Sequence, residues 1–332
     1  MKIETPVAAP ARSTDDSAGL PPAFIERLRA ILPAAAAHDC LSAMRRRPAP
    51  CFRVNTLRCA VAPTVAALGE AGFRPQALSW RDDAFCIADD QRTELTHHAL
   101  TRDAAIYLQN PASMLPVQLL EPQPTDWILD LAAAPGSKTH QLACAMANEG
   151  RISAVEAVRG RFFKLKHNLA RLGVTNTRVY LKDGSKVWRS CPEQFDRVLL
   201  DAPCSSEGQF NCEQPEKQRY WSEKKIREMS RKQKRLLFSA IQSLKPGGVL
   251  VYSTCSFAPE ENELVITPLL RRFAGALLVE PITLPCTSSQ PGLNCWRDED
   301  IDPQLAHARR IVPDGLMEGF FVCRLRKLAS TR

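Results

Sequence analysis

Trp127-Ile128-Leu129-Asp130-Leu131-Ala132-Ala133-Ala134-Pro135-Gly136-Ser137-Lys138-Thr139 is the stretch on which the architecture turns. Its apolar opening reads as a buried strand over residues 127–131, and residues 138–146 read as the helix that follows. Between them lies a run of small residues. Such a run lets a ligand approach the backbone, and the start of the helix offers N–H groups with no intrahelical partner. A single glycine makes it neither a G-x-G-x-x-G fingerprint nor a P-loop. On its own the segment suits a plain strand–helix turn as well as a ligand loop.

Downstream, strands expected at 151–155, 178–181, 197–200 and 248–252 alternate with helices expected at 158–172 and 222–244. That alternation predicts an α/β fold with a mostly parallel sheet covered on both faces. Upstream the pattern differs. Helices are expected at 23–32 and on to about 44, then Arg45-Arg46-Arg47, a strand at 51–54, a helix at 61–71 and short strands at 78–80 and 85–87. The division expected is a disordered Ala/Pro/Ser/Asp-rich tail over 1–19, a small α+β domain over 20–105, and the parallel-sheet domain over 106–330.

Ligands of such sheets bind beyond the carboxyl ends of the strands. Asp130, Glu156, Asp183 and Asp201 fall at four successive strand ends. Each alone is more often a cap or turn former, but together they read as an adenosine-binding rim. Glu156 suits ribose hydroxyls and Asp183 an adenine amino group.

Lys and Arg number 44 against 36 Asp and Glu, a formal charge of +8. That surplus fits a polyanionic partner and equally fits many proteins without one. None of the twelve cysteines forms a C-x-x-C pair, which argues against a structural zinc ribbon or thioredoxin-type centre. No apolar run reaches membrane-spanning length, and the start lacks the apolar core of a signal peptide. A reducing cytoplasm is the expected setting, with no metal and no membrane partner, and the chain is expected to be a monomer. Most of the cysteines then read as small buried hydrophobes.

Two cysteines stand apart. Asp201-Ala202-Pro203-Cys204-Ser205-Ser206 and Ser253-Thr254-Cys255-Ser256 each follow an apolar strand, so both thiols should reach the same edge of the sheet. Cytosine chemistry explains why a site would want them. Carbon 5 is too weak a nucleophile to attack a sulfonium methyl, whereas the enamine formed when a thiolate adds to carbon 6 is strong enough. A second group then helps to remove the carbon-5 proton and expel the sulfur.

At these residues the chain resembles the Sun/Fmu (NSUN-type, RsmB/RsmF-like) family of RNA 5-methylcytosine methyltransferases. The resemblance runs from about Phe52 to Lys327. It includes Phe52-Arg53-Val54-Asn55-Thr56-Leu57-Arg58, Leu108-Gln109-Asn110-Pro111-Ala112-Ser113, Lys245-Pro246-Gly247-Gly248, Glu260-Glu261-Asn262-Glu263 and Glu318-Gly319-Phe320-Phe321, besides the loop and cysteine motifs. It implies a class I (Rossmann-like) S-adenosylmethionine-dependent methyltransferase fold preceded by a small RNA-binding domain. Cys255 is implied as the nucleophile and Cys204 as the residue that assists breakdown of the covalent adduct. The cofactor S-adenosylmethionine is implied to be bound by Ala132, Ala133, Ala134, Pro135, Gly136, Ser137, Lys138, Glu156, Asp183 and Asp201, with Asp201 also contacting the cytosine edge. DNA cytosine-5 methyltransferases use the Pro-Cys cysteine instead, but Thr254-Cys255 together with the Arg-x-Asn-Thr-Leu motif favours the RNA arrangement.

Three positions depart from the family pattern: Ala132 where Cys is usual, Ser137 where many members have Gly, and Ser206 in place of a common Gly. None removes a group the chemistry needs. Arg45, Arg46, Arg47, Arg53, Asn55 and Arg58 are the expected RNA contacts, since the resemblance assigns RNA binding to that domain. The basic face of the helix at 222–244 fits a solvated surface equally well. The target base must be unpaired or flipped, because stacking hides carbons 5 and 6. No room is expected after Phe321 for the C-terminal RNA-binding domain of some relatives. Ribosomal RNA is the first expected substrate and transfer RNA the second. A different class of function is an RNA-binding ribosome-assembly factor with secondary methylation activity.

Overall fold

The computed structural model describes residues 19–285 and 288–332. The tail expected over 1–19 therefore lies, apart from Gly19, outside the described residues. Helices α1 (Pro22–Ile31) and α2 (Ala34–Ala43) come first. Then follow β1 (Cys51–Val54), α3 (Val61–Glu70), β2 (Gln76–Leu78), β3 (Arg81–Cys86), α4 (Arg92–His97), α5 (Ala99–Arg102) and β4 (Ile106–Leu108). These strands form a small antiparallel sheet in the order β2-β3-β1-β4, the split β-α-β-β-α-β arrangement. Phe52, Val54, Leu68, Phe73, Phe85, Ile87, Leu95 and Ile106 fill its core. The fourth strand begins just after the boundary expected at residue 105, and α1 and α2 pack on the large sheet rather than on the small one.

The rest of the chain builds one large sheet. Helix α6 (Pro111–Leu120) leads into β5 (Trp127–Asp130), α7 (Ser137–Ala145), β6 (Arg151–Glu156), α8 (Arg159–Arg171) and β7 (Thr177–Leu181). There follow β8 (Phe195–Asp201), α9 (Glu223–Ser243), β9 (Leu244–Thr254) and α10 (Glu263–Arg272). The last strands are β10 (Leu277–Glu280), β11 (Ser289–Pro291), a minor hairpin of β12 (Cys295–Trp296) and β13 (Glu299–Asp300), β14 (Arg309–Ile311) and β15 (Phe320–Lys327). The sheet order is β11-β14-β15-β9-β8-β5-β6-β7, with β10 also paired to β15. Strands β5 to β9 run parallel, as the alternating pattern predicts, and β15 returns antiparallel to β9. The order reverses between β5 and β8, and ligand crevices open at such a switch point.

Successive strand residues face opposite sides, so both sides are apolar. Ile128, Ile152, Leu199 and Val251 meet Leu115 of α6 and Leu142 of α7. Leu129, Val155, Leu200 and Leu250 join Phe24 and Leu28 of α1 and Leu237 and Ile241 of α9 in the core of the other face. Helix α9 is capped by Ser222 and buries Ile226, Met229, Leu236, Leu237 and Ile241. At about 1.5–3 kcal/mol for each buried apolar side chain, that stripe outweighs any propensity term in fixing the helix. The expected strand at 248–252 is the middle of the longer β9, which begins with the Lys245-Pro246-Gly247-Gly248 motif.

Candidate active site

Asp201 at the end of β8 is in register with Ser253 of β9, so the loops that leave these neighbouring parallel strands start side by side. They bring Cys204 Sγ to 3.1 Å from Cys255 Sγ. Both are free thiols, partly buried, and Cys255 Sγ also lies 3.7 Å from Ser206 Oγ. The contact with Cys255 and, after it, burial push the Cys204 thiol well above the usual range. Ser206 adopts φ +61°, the left-handed region, which explains why a glycine is common there among the proteins the chain resembles.

Two buried carboxylates hold the cysteine loops together. Glu261 accepts from Ser205 N (2.9 Å) and Ser205 Oγ (2.5 Å), from Ser256 Oγ (2.5 Å) and from Gln233 Nε2 (3.2 Å). Burial pushes its carboxyl up to about 7, against the opposing pull of the two serines. Glu207 accepts from Phe257 N (3.0 Å), Ala258 N (2.9 Å) and Trp221 Nε1 (2.8 Å), lies 3.1 Å from Ser256 Oγ, and burial raises it as well. Asn262 accepts from Thr254 Oγ1 (2.6 Å) and donates to Ser256 O (2.9 Å). Sequence reasoning gave neither acid a role: Glu207 stands only in the stretch that follows Cys204, and Glu261 only in the Glu260-Glu261-Asn262-Glu263 motif.

Lys138, at the start of α7, donates to Asp201 Oδ2 and to Ser113 Oγ, both at 2.7 Å, and Ser253 Oγ donates to Asp201 Oδ1 at 2.8 Å. Asp201 is therefore fixed by two donors, Lys138 of α7 and Ser253 of β9. The loop of residues 132–138 turns at Gly136, where φ is +110° and an added Cβ would stand 3.0 Å from Leu165 Cδ1. Glu156 is buried. It accepts from Val158 N at 2.8 Å, with the Arg161 guanidinium 3.6 Å away. Asp183 is half-exposed at the end of β7. Burial raises its carboxyl, but hydrogen bonds from Ser185 outweigh burial and hold it below the usual range. Asp130, expected in the same rim, is 1% exposed and accepts from Thr139 Oγ1 at 2.7 Å. It anchors α7 from beneath, and burial pushes it up to about 7.

A cavity of about 320 Å³ opens along the sheet face below Asp183, lined by Trp127, Val155, Tyr180, Val187 and Phe195 among others. It includes neither cysteine and no residue of the 132–138 loop. The short turn Gly184–Arg189 contributes Lys186 and Val187 to its lining. Among the described residues, no group of three or more His, Cys, Asp and Glu side chains could hold a metal ion. Nor is any helix of the described residues long and apolar enough to cross a membrane.

Two expected RNA contacts need correction. Arg53 and Asn55 are fully buried where the small sheet meets α7. Arg53 donates to Gln109 Oε1 (2.8 Å) and Ser137 O (3.4 Å) and lies 3.3 Å from His140 Nδ1. Asn55 donates to Ala104 O (2.8 Å) and Leu172 O (2.9 Å), and its Oδ1 meets His140 Nε2 at 3.0 Å. Side chains so enclosed offer nothing to RNA; they join the small sheet to the helix behind the 132–138 loop. Arg45, Arg46 and Arg58 are exposed, whereas Arg47 pairs with Glu213 at 3.1 Å. Arg58 packs over Gly173. On α9, Lys224, Arg231, Lys234 and Arg235 are exposed, and Lys225 and Arg227 pair with Glu228 (3.1 Å) and Glu223 (3.6 Å).

Comparison with known proteins places this arrangement. The family described as 16S rRNA methyltransferase RsmB/F matches residues 117–326, and the RsmF/B-like ferredoxin-like domain matches residues 20–94. A ribosomal RNA small subunit methyltransferase F of Vibrio vulnificus (strain YJ016) is 37% identical over 94% of this chain and 65% of its own length. Its counterpart in Serratia proteamaculans is 36% identical over 93% and 63%. The chain thus spans about two-thirds or a little less of these curated relatives. A methyltransferase homologue from Pyrococcus horikoshii matches at TM-score 0.77 and 33% identity, over 93% of this chain and all of the other. NSun6 from the same organism shares the fold at TM-score 0.78 and 22% identity, over 93% and 98%.

Proposed function

Because the chain belongs to the 16S rRNA methyltransferase RsmB/F family, we propose that it transfers a methyl group from S-adenosylmethionine to carbon 5 of a cytosine in structured RNA, with ribosomal RNA as the substrate, in the cytoplasm. The observation that carries this reading is the pair of free thiols 3.1 Å apart at adjacent strand ends. Cys255 adds to carbon 6 as a thiolate, which makes carbon 5 nucleophilic. Bound S-adenosylmethionine supplies the electrophilic methyl group. Asp201, pinned by Lys138 and Ser253, faces the polar edge of the base. The contact that does most to keep the Cys204 proton in place is the one with Cys255. Once the Cys255 sulfur is bonded to carbon it no longer faces Cys204 as a thiol or thiolate, so Cys204 can release its proton to solvent and, as a thiolate, take the carbon-5 proton. The Cys255 sulfur then leaves as a thiolate.

The donor set fits the cofactor. Glu156 presents acceptors for ribose hydroxyls, Asp183 is held ionised for an amino group, and the start of α7 presents backbone N–H groups. Asp183→Ala and Glu156→Ala are each expected to weaken S-adenosylmethionine binding by about 1–3 kcal/mol, the cost of a lost hydrogen bond to a polar ligand group. Calorimetry on the folded variants checks this, and unchanged affinity in both would move the adenosine elsewhere.

Removing the charges of Arg45, Arg46 and Arg47 is expected to flatten the salt dependence of RNA binding by about 0.7–0.9 in slope per lost phosphate contact. Cofactor affinity should not change. An unaltered slope would make the cluster an ordinary solvated surface.

Bisulfite sequencing of ribosomal and transfer RNA from a deletion strain tests the function as a whole. Loss of one methylated cytosine in ribosomal RNA is the expected result. Loss from transfer RNA would reassign the substrate, and no loss anywhere would favour an assembly factor.

A further inference from the structure

We propose that Glu261 is a positioning residue for the reaction: one buried carboxylate that ties the Cys204 loop to the Cys255 loop and sets the distance between the two sulfurs. The inference rests on Cys204 and Cys255 being the reacting pair. The two cysteines sit on separate loops beyond the β8–β9 ladder, which ends at Asp201 and Ser253; the backbone bond that joins these loops at a cysteine, Gly208 N to Cys255 O at 2.9 Å, lies four residues past Cys204. The residues immediately after them, Ser205 and Ser256, both donate to Glu261 Oε2 at 2.5 Å, and their hydroxyls lie 3.1 Å from each other. Ser205 N adds a third bond to Oε1 at 2.9 Å. The fourth donor, Gln233 Nε2, also donates to Pro203 O at 2.9 Å, so α9 reaches the residue before Cys204 as well. Glu261 is itself held from behind, where Tyr252 Oη donates to its backbone carbonyl at 2.5 Å.

The charge of this group argues for a positional role. An acid with no solvent exposure is costly unless its acceptors are filled, and here four donors from the flanks of both cysteines and from α9 fill them. Glu207, three residues beyond Cys204, also reaches across to the Cys255 loop, but it does so at Phe257 N and Ala258 N, farther along both loops from the two sulfurs. Among the described residues, Glu261 is the carboxylate that bonds to the residues following both cysteines. Displacing a reacting group by about 1 Å can cost on the order of 100-fold in rate. Loss of the bridge should therefore be felt in the chemical step rather than in binding.

The test uses the full chain with Glu261→Ala, Glu261→Gln and Ser205→Ala. Glu261→Ala is expected to lower kcat by about 100-fold, with KM for RNA and affinity for S-adenosylhomocysteine unchanged. Glu261→Gln keeps one acceptor oxygen and should recover part of the loss. Ser205→Ala removes one strap and keeps the buried carboxylate, so it reports even if Glu261→Ala does not fold; it should lower kcat in the same way, by less. A readout free of RNA is the rate at which diamide joins Cys204 to Cys255, followed by peptide mapping. The two thiols lose two protons and two electrons to the diazene, which becomes the hydrazine. Cross-linking should be fast in the wild type and much slower in the Glu261 variants. Slowed cross-linking in a protein whose wild type methylates no cytosine would keep Glu261 as the strap and sink the cytosine reading. Unchanged kcat and unchanged cross-linking in folded variants, with an active wild type, would sink the strap and leave the cytosine reading standing. A fall in kcat that follows only lost thermal stability or lost cofactor affinity would also overturn the proposal.

Discussion

Cys255→Ala is expected to abolish methyl transfer, by roughly a thousandfold or more, and to form no covalent complex with RNA. The sulfur adds to carbon 6 and makes carbon 5 reactive, and in this reading Cys204 serves the later proton-removal step and does not replace it. The change removes one half-buried sulfur and leaves Asp201, Lys138 and Glu261 with their partners. Cofactor binding and thermal stability should therefore match the wild type. Single-turnover methylation and calorimetry with S-adenosylhomocysteine check the two halves separately. Full activity in the alanine variant would move the nucleophile to Cys204, the arrangement of the DNA enzymes.

Cys204→Ala should fail at a different step. Addition and methyl transfer need only the nucleophile, so the variant should attack and methylate once. Removal of the carbon-5 proton then lacks its base, and the complex should stall as a protein–RNA adduct that survives denaturing electrophoresis. Most of the enzyme should be trapped with stoichiometric RNA, against little or none in the wild type, and peptide mapping should place the linkage on Cys255. An adduct from Cys255→Ala but not from Cys204→Ala would reverse the roles. No adduct from either variant, with activity retained, would remove covalent catalysis.

Much of the site could be read from the chain because its residues follow strands with strong apolar signatures. β5, β8 and β9 are apolar on both faces, so the sequence alone puts their ends, and with them Asp201, Cys204 and Cys255, on one edge of the sheet. Helix α6 gave no such signal. Its residues are buried on nearly every side and Pro116 interrupts it, so no polar face marks the period. Strands β10, β11, β14 and β15 pair antiparallel at the far edge without intervening crossover helices, and the alternating pattern stops short of them.

Arg53 and Asn55 show a different limit. Alternation along β1 turns Phe52 and Val54 into the core of the small sheet and Arg53 away from it. Away from that core is not solvent, however, because α7 covers that side and His140, Gln109 and Ser137 receive the guanidinium. A charge pattern cannot reveal a second body packed against it. Glu207 and Glu261 were obscure for the same reason: an acid beside serines reads as a loop until the opposite loop is seen to close over it.

The most direct measurement is nucleoside analysis of RNA methylated by the purified chain with isotopically labelled S-adenosylmethionine. Small-subunit ribosomal RNA is digested to nucleosides and separated by mass. Label recovered as 5-methylcytidine, absent with Cys255→Ala, is the predicted result. Label on a ribose oxygen or an exocyclic nitrogen, or 5-methylcytidine still formed at the wild-type rate by Cys255→Ala, would contradict carbon-5 chemistry through Cys255.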